Sequence, residues 1–273
     1  MDYRPQYRDH AQLALRNVSA RYVERGETLL ALTGISFDIA DGEFVALIGP
    51  SGSGKSTLLD IVSGLFSETG GTVHIGGQPL FFEKRLGRSA YMHQRDLLLP
   101  WRSALGNAAL ALEVHGIPKR QAMTRAAERF PTFGLAGFED AYPGQLSGGM
   151  RQRVAFLRTM LADRPLLLLD EPFGALDALN RVALQAWLLD LWEAERRSVL
   201  LVTHDIDEAI FLADRVIVLS SRPGTIVHVE PITMERPRHR SVLASDAFFG
   251  HRTRLAEALG LLDEPAAMAG GGR

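Results

Sequence analysis

The chain has 273 residues, no cysteine, and 30 basic against 32 acidic side chains, a formal net charge of -2. That length suits one large α/β domain with additions, the balanced charge leaves no broad basic field for a nucleic-acid backbone, and the lack of thiols excludes a disulfide framework or thiolate metal site while suiting a reducing compartment. The opening MDYRPQYRDH has no apolar h-region and does not read as a signal peptide, and no apolar run approaches the roughly 18 to 20 residues of a membrane span. If the protein acts at a membrane, another chain must cross it.

Residues 1–11 are charged and aperiodic and are expected to form a loose terminus. Leu13, Leu15 and, after a break, Val18, Ala20 and Tyr22 read as an edge strand; Ile35, Phe37 and Ile39 alternate before Asp41-Gly42 turns the chain into the apolar run Phe44 to Ile48. This antiparallel β piece leads into GPSGSGKST, Gly49 to Thr57, the pattern of a phosphate-binding P-loop. Gly49 and Gly54 permit a turn that a Cβ would obstruct, and the N–H groups from about Ser51 to Ser56 converge into an anion-holding concavity. Gly49, Pro50, Ser51, Gly52, Ser53, Gly54, Lys55, Ser56 and Thr57 are therefore candidate nucleotide-binding residues. Lys55 would reach the β and γ phosphates as a point charge, the Ser56 hydroxyl would ligate Mg²⁺, and Thr57 would hold the α phosphate.

Leu58, Leu59, Ile61 and Val62 followed by Gly64 predict a short buried helix with a glycine stop. A hairpin around Gly76-Gly77 and a strand from Ala90 to His93 ending at Gln94 come next. Ser103 can cap a helix running to about Val114, Pro118 can open a second toward Phe130, and Pro131 interrupts it, so that residues from about 96 to 160 read as a helical insertion. LSGGMRQ then precedes a helix with Val154, Phe156, Leu157, Met160 and Leu161 on its apolar face and Ser147 as its N-cap. Four leucines, Leu166 to Leu169, run into Asp170-Glu171; after a helix from Leu179 to Glu195, Val199 to Val202 runs into Thr203-His204. Continuous apolar strands alternating with helices predict a parallel sheet covered on both faces. Val216 to Leu219, a turn at Arg222-Pro223-Gly224 and Ile226 to Val229 add two strands. One domain over 12–232 is expected, followed by a basic, broken extension over 233–273 with an amphipathic helix from Phe248 to Leu262 and a disordered tail.

Asp170-Glu171 lies at the C-terminal end of a parallel strand, where open α/β sheets bind ligands. There Asp170 would act on the Mg²⁺ shell and Glu171 would polarise the water attacking the γ phosphate. His204 could hold that water, although a histidine ending a strand is more often a turn residue. Gln94, at another strand end, could lie near Mg²⁺ and report the γ phosphate to the helical insertion, or be merely solvated. Ser147-Gly148-Gly149 at a helix start is a second anion-binding device with no local phosphate left to bind. One explanation is a head-to-tail homodimer in which this end of one chain closes the Gly49 to Thr57 site of the other; the alternative is a capped helix after a glycine hinge.

Over roughly residues 13 to 230, the motifs GPSGSGKST, Gln94, LSGGMRQ, LLLLDEP, Gly174-Ala175-Leu176-Asp177 and Thr203-His204-Asp205 together resemble the ATP-binding cassette ATPases of ABC transporters. The resemblance implies a P-loop NTPase (RecA-like) parallel sheet core with an antiparallel β subdomain and an inserted α-helical subdomain. It implies ATP and Mg²⁺ as cofactors, Asp177 in a loop at the shared nucleotide site, and Tyr22, by default a packing residue, as a stacking partner of adenine. Met150 replaces the commoner Gln of the signature and leaves Ser147, Gly148 and Gly149 intact. YPGQLSGG resembles importer ATPases, and LLLPWRSALGN, DEPFGALDALNR and SSRPGTIV resemble the branch driving uptake of nitrate, aliphatic sulfonates, taurine and thiamine pyrimidine precursors. The implied partners are a second copy, a transmembrane permease and, indirectly, a solute-binding protein, at the cytoplasmic face of the inner membrane. Leu97 to Trp101 is expected to help dock the permease, with core packing of Trp101 as the competing reading. The alternative is a soluble cassette ATPase acting on nucleic acid or the ribosome; yet the insertion leaves no room for coiled-coil arms, and no second P-loop supplies a tandem cassette. A small-molecule kinase would have no use for LSGGM.

Overall fold

A computed structural model describes residues 11–24, 27–174 and 176–262. The expected loose terminus, apart from Ala11, and the whole of the expected disordered tail lie outside the described residues. The chain opens with β1 (Ala11–Glu24), β2 (Glu27–Ala40), β3 (Phe44–Ile48), α1 (Lys55–Ser63), β4 (Gly70–Ile75) and β5 (Gln78–Pro79). Strands β2-β1-β4-β5 form an antiparallel sheet in that order, with Leu15 paired to Phe37 on one side and to Val73 on the other. β1 is therefore internal, not the edge strand expected from its pattern. Alternation reports which face is covered; it carries no count of neighbours. The break in alternation between Leu15 and Val18 is a β-bulge, where Asn17 turns left-handed at φ 54 and its N–H donates to Ser36 Oγ at 2.8 Å.

The chain continues with β6 (Ala90–Met92), α2 (Ala104–Ala108), α3 (Leu110–Val114), α4 (Lys119–Arg129), α5 (Gly148–Leu161), β7 (Leu166–Asp170), α6 (Ala178–Glu195), β8 (Ser198–Val202), α7 (Ile206–Leu212), β9 (Arg215–Leu219), β10 (Ile226–Pro231) and α8 (Asp246–Ala258). The helix expected from Ser103 to Val114 is two short helices, although N–H to C=O bonding continues through Ala109, so the split is a local distortion. α8 starts two residues earlier than its apolar pattern predicts, because Ser245 caps it, and turns out at Gly260, where φ is +68.

The second sheet has the order β10-β9-β3-β8-β7-β6, parallel except for β10. Every residue of β3, β7 and β8 is buried, and alternate residues serve opposite cores. Ala46, Leu167, Leu169 and Leu201 face the helical side; Val45, Leu47, Leu168 and Leu200 face α1 and the antiparallel sheet. Two covered faces explain why these strands read as unbroken apolar runs. The sequence pattern missed Arg85, which is 0 % exposed beneath this second core. Its guanidinium pairs with Glu68 and donates to the Ile61 and Leu80 carbonyls, tying the end of α1 to the β4–β5 hairpin.

Removing one partner of a buried ion pair strands the other. Arg85→Ala is therefore expected to lower the unfolding free energy by about 3 kcal/mol, read by denaturant titration, with a smaller loss for Glu68→Gln, which keeps a hydrogen-bond acceptor.

Candidate functional site

The parallel register brings three strand ends level. Leu47 lies opposite Val202, and Val202 opposite Asp170. Beyond them, Thr203 N–H donates to Leu47 O at 3.2 Å and Glu171 N–H to Val202 O at 2.9 Å, so the P-loop, Asp170-Glu171 and Thr203-His204 all begin at one edge. They share a cleft of about 380 Å³ lined by Tyr22, Ser51, Gly52, Gly54, Lys55, Ser56, Thr57, Glu171 and His204.

Gly54 is the N-cap of α1 at φ 91, and a Cβ there would stand 2.6 Å from Leu32 Cδ2. Leu58 N–H makes the first helical bond, to Gly54 O at 2.9 Å, so the N–H groups of Lys55, Ser56 and Thr57 have no partner within the helix. With the positive end of α1 behind them they suit a phosphate chain. Pro50 and Ser53 shape the loop, Ser53 N–H donating to Pro50 O at 3.2 Å, and Gly49 packs behind it against Leu219. Lys55 Nζ donates to Gly49 O at 2.8 Å and Pro50 O at 2.9 Å across the loop mouth. Burial lowers its pKa, and the carboxylates of Glu171 and Asp170 oppose that shift.

Ser56 Oγ donates to Asp170 Oδ1 at 3.3 Å, placing two hard oxygen ligands side by side. Asp170 is 7 % exposed, and its carboxyl pKa is raised first by desolvation and further by Glu171 and Asp60, against the Ser56 hydrogen bond and His93. A buried carboxylate amid other carboxylates fits a divalent cation. Among the described residues no cluster of three or more His, Cys, Asp or Glu could hold a metal by itself. Glu171 is held left-handed at φ 44, an uncommon state for a residue with a long side chain. Its Oε2 accepts from Gln94 Nε2 at 2.9 Å, and its Oε1 is 3.3 Å from His204 Nδ1. Gln94 thus meets Glu171, not the Ser56–Asp170 pair.

Tyr22 reaches the cleft from β1, its hydroxyl donating to Thr57 Oγ1 at 3.0 Å and its ring 4.5 Å from that of Phe66. Ser147 caps α5, its Oγ accepting from Met150 N–H at 3.2 Å. Ser147, Gly148 and Gly149 do not line the P-loop cleft of their own chain; Gly148 lines a separate cavity of about 550 Å³ with Gln94, Asp96, Arg151 and Gly174. Asp177 caps α6, accepting from Asn180 N–H at 3.0 Å, and its carboxyl pKa is lowered chiefly by that bond.

Sequence reasoning missed Arg222, Tyr91 and Asp60. Arg222 lines the cleft from a segment that reads only as a turn. That turn packs backbone to backbone on the P-loop: Gly224 exchanges hydrogen bonds with Ala31 and Thr33, and a Cβ on it would stand 2.1 Å from Ser53 O. Tyr91 hydroxyl lies 3.2 Å from Asp60 Oδ1 and 3.4 Å from Asp170 Oδ2, and burial with those carboxylates pushes its pKa up. Tyr91 precedes Gln94 by three residues in β6 and its loop, and that position was the one available signal.

Residues 32–174 match the ABC transporter family. Over 91 % of both chains, this one is 42 % identical to an uncharacterised ABC transporter ATP-binding protein of Methanocaldococcus jannaschii. It is 47 % identical to the formylaminopyrimidine import ATP-binding protein of Halalkalibacterium halodurans, over 69 % of this chain and 73 % of that one, and 41 % identical to the taurine import ATP-binding protein of Rhizobium johnstonii, over 80 % of each. A bacterial ABC transporter cassette solved as a dimer, and also in a post-hydrolysis state with ADP and Pi, superposes with a TM-score of 0.72 at 32 % identity, covering 82 % of this chain and the whole of that one. On these matches the chain belongs to the ABC transporter family of ATP-binding proteins.

Proposed function

We propose that this ABC ATPase is the motor subunit of an importer, working as a head-to-tail homodimer on a transmembrane permease at the cytoplasmic face of the inner membrane. The observation that carries the dimer is the separation of the two anion-binding ends: the P-loop cleft and the Ser147 end of α5 line different cavities of one chain. A second copy brings them together, with Ser147, Gly148 and Gly149 on the γ phosphate and Asp177 at the shared boundary. The cassette solved as a dimer supports this arrangement. No helix among the described residues is long and apolar enough to cross a membrane; the relatives named as import ATP-binding proteins support a permease as the membrane-crossing partner. The formylaminopyrimidine and taurine import relatives support uptake of a small solute of that kind; a solute-binding protein would deliver it to the permease.

In this reading the N–H groups at the start of α1 and Lys55 hold the phosphates, Thr57 the α phosphate, and Tyr22 the adenine. Ser56 and Asp170 hold Mg²⁺; Gln94, bonded to Glu171 in this structure, would have to turn from it to join the ion's shell. The ion, when bound, neutralises charge on the β and γ oxygens. Glu171 orients and polarises the attacking water, and His204, 3.3 Å from Glu171, fixes that water and contacts the γ phosphate.

The permease would dock where the loop after Gln94 meets the inserted helices. Trp101 is 71 % exposed and Leu97 also stands out, whereas Leu98, at 8 %, belongs to the core. The docking reading of this stretch is thus carried by Leu97 and Trp101. On the inserted helices an open, largely apolar groove is lined by Leu105, Met123 and Ala127 and rimmed by Lys119 and Arg120. Arg158 donates to the carbonyls of Asp96 and Leu97, tying the loop to α5, so a displacement of Gln94 reaches the docking face and the Ser147 end together. The inserted helices α2 to α4 pack on α5.

Lys55→Ala should abolish turnover, since a preorganised charge at the transferring phosphate contributes about 3 to 4 kcal/mol; malachite-green ATPase assays with wild-type rates would refute the assignment. Glu171→Gln should bind ATP, hydrolyse it at least about a hundredfold more slowly, and run as a dimer on size exclusion with Mg-ATP; a mutant that stays monomeric under all nucleotide conditions would remove the shared-site arrangement. Trp101→Ser should leave melting temperature and basal ATPase unchanged while losing permease co-purification from detergent-solubilised membranes; retained co-purification would move the docking face elsewhere.

A further inference from the structure

The extension after Pro231 has been assigned no role, yet its arginines end the helix that follows His204. α7 is seven residues long, and its last turn is buried, so the carbonyls at its C-terminus cannot rely on water. Two side chains from the extension satisfy all four. Arg238 donates to Ile210 O at 3.0 Å, Phe211 O at 3.3 Å and Ala213 O at 2.6 Å; Arg236 donates to Leu212 O at 2.6 Å. Arg238 is 4 % exposed, and burial pushes its guanidinium down to about 10, which leaves it charged at neutral pH. A fixed cation at a helix C-terminus also complements the macrodipole. Arg236 is itself braced, by Asp214 at 2.8 Å and by the Trp192 ring 4.3 Å away.

The other end of α7 is the nucleotide site. Asp205 caps the helix, accepting from Glu208 N–H at 3.1 Å, and the residue before it is His204, against Glu171. Arg252 of α8 pairs with Asp207 in the first turn at 3.1 Å, so the extension grips α7 near both termini. A helix of two turns offers little stiffness of its own; its buried face packs on β3 and α8, and its position along its own axis is further fixed by what holds its ends.

We infer that Arg238 is a positioning residue for ATP hydrolysis: by binding the terminal carbonyls of α7 it sets the height of His204 over the γ-phosphate position. The inference rests on the role proposed above for His204. It makes the C-terminal extension part of the catalytic apparatus, without contact to substrate.

The test uses the full chain. Arg238→Met keeps bulk and removes every donor, and kcat, ATP KM and melting temperature are measured for it alone and combined with His204→Ala. A shift of His204 by less than an ångström should lower kcat about tenfold with KM within about twofold of wild type. If Arg238 acts through His204, the same substitution in the His204→Ala background should change kcat by less than about twofold. Arg238→Lys, which keeps a charge but reaches fewer carbonyls, should lose about threefold and show the same dependence on His204, and it carries the comparison if Arg238→Met does not fold. A lowered melting temperature with wild-type kcat, or a tenfold loss that persists without His204, makes Arg238 a stability residue and overturns the inference alone. Wild-type turnover by His204→Ala overturns the role of His204 and the inference with it.

Discussion

The level of three strand ends is the constraint on which the rest depends. Residues from positions 47, 170 and 202 become neighbours only because β3, β8 and β7 lie parallel with Leu47, Val202 and Asp170 side by side. A slip of one residue would turn each strand's apolar set to the opposite core and raise or lower a functional loop by about 3.3 Å. Fully buried strands resist such a slip, because on each face the alternating leucines and valines already fill a core. Packing on both sides of the sheet thus sets the precision of a site built at its edge.

Within that frame the site concentrates opposed charges in a small, half-dry volume. Asp60, Asp170 and Glu171 crowd together, and Lys55 is buried beside them. Desolvation disfavours charge on both Lys55 and Asp170, a cost that the proposed phosphate and cation would offset. The left-handed backbone at Glu171 belongs to the same logic. It is over-determined by the bond to Val202 and by Gly174 N–H donating back to Glu171 O at 3.0 Å, which aims the carboxylate between Gln94 and His204.

Most of this was legible in residue order, since glycine-rich turns, apolar runs and caps act locally. Gly54, Gly64, Ser147 and Ser103 behave as their patterns predict. What escaped is what depends on neighbours distant in sequence. β1 reads the same at an edge or inside a sheet. Arg85 and Arg238 look like surface cations, and only the fold shows one beneath α1 and the other at the end of α7. Arg222 and Tyr91 sit in unremarkable segments and gain meaning from strands that arrive beside them. Leu98 and Trp101, three residues apart in one apolar cluster, go to core and solvent respectively, because loop geometry, not hydrophobicity, separates them.

The strand order has a further consequence for how the protein is made. β3 sits between β8 and β9, and both neighbours begin 150 residues or more after Ile48, at Ser198 and Arg215. At ribosomal rates of about 5 to 20 residues per second, the P-loop strand waits on the order of ten seconds or more before its partners exist. In that interval the antiparallel sheet can pair within the first eighty residues, and α2 to α5 can pack on one another, while Phe44 to Ile48 and later Leu166 to Leu169 remain open, uncharged β-prone edges. The nascent chain is thus most exposed to mispairing along the very strands that later carry its catalytic loops, and the nucleotide site is among the last features to close.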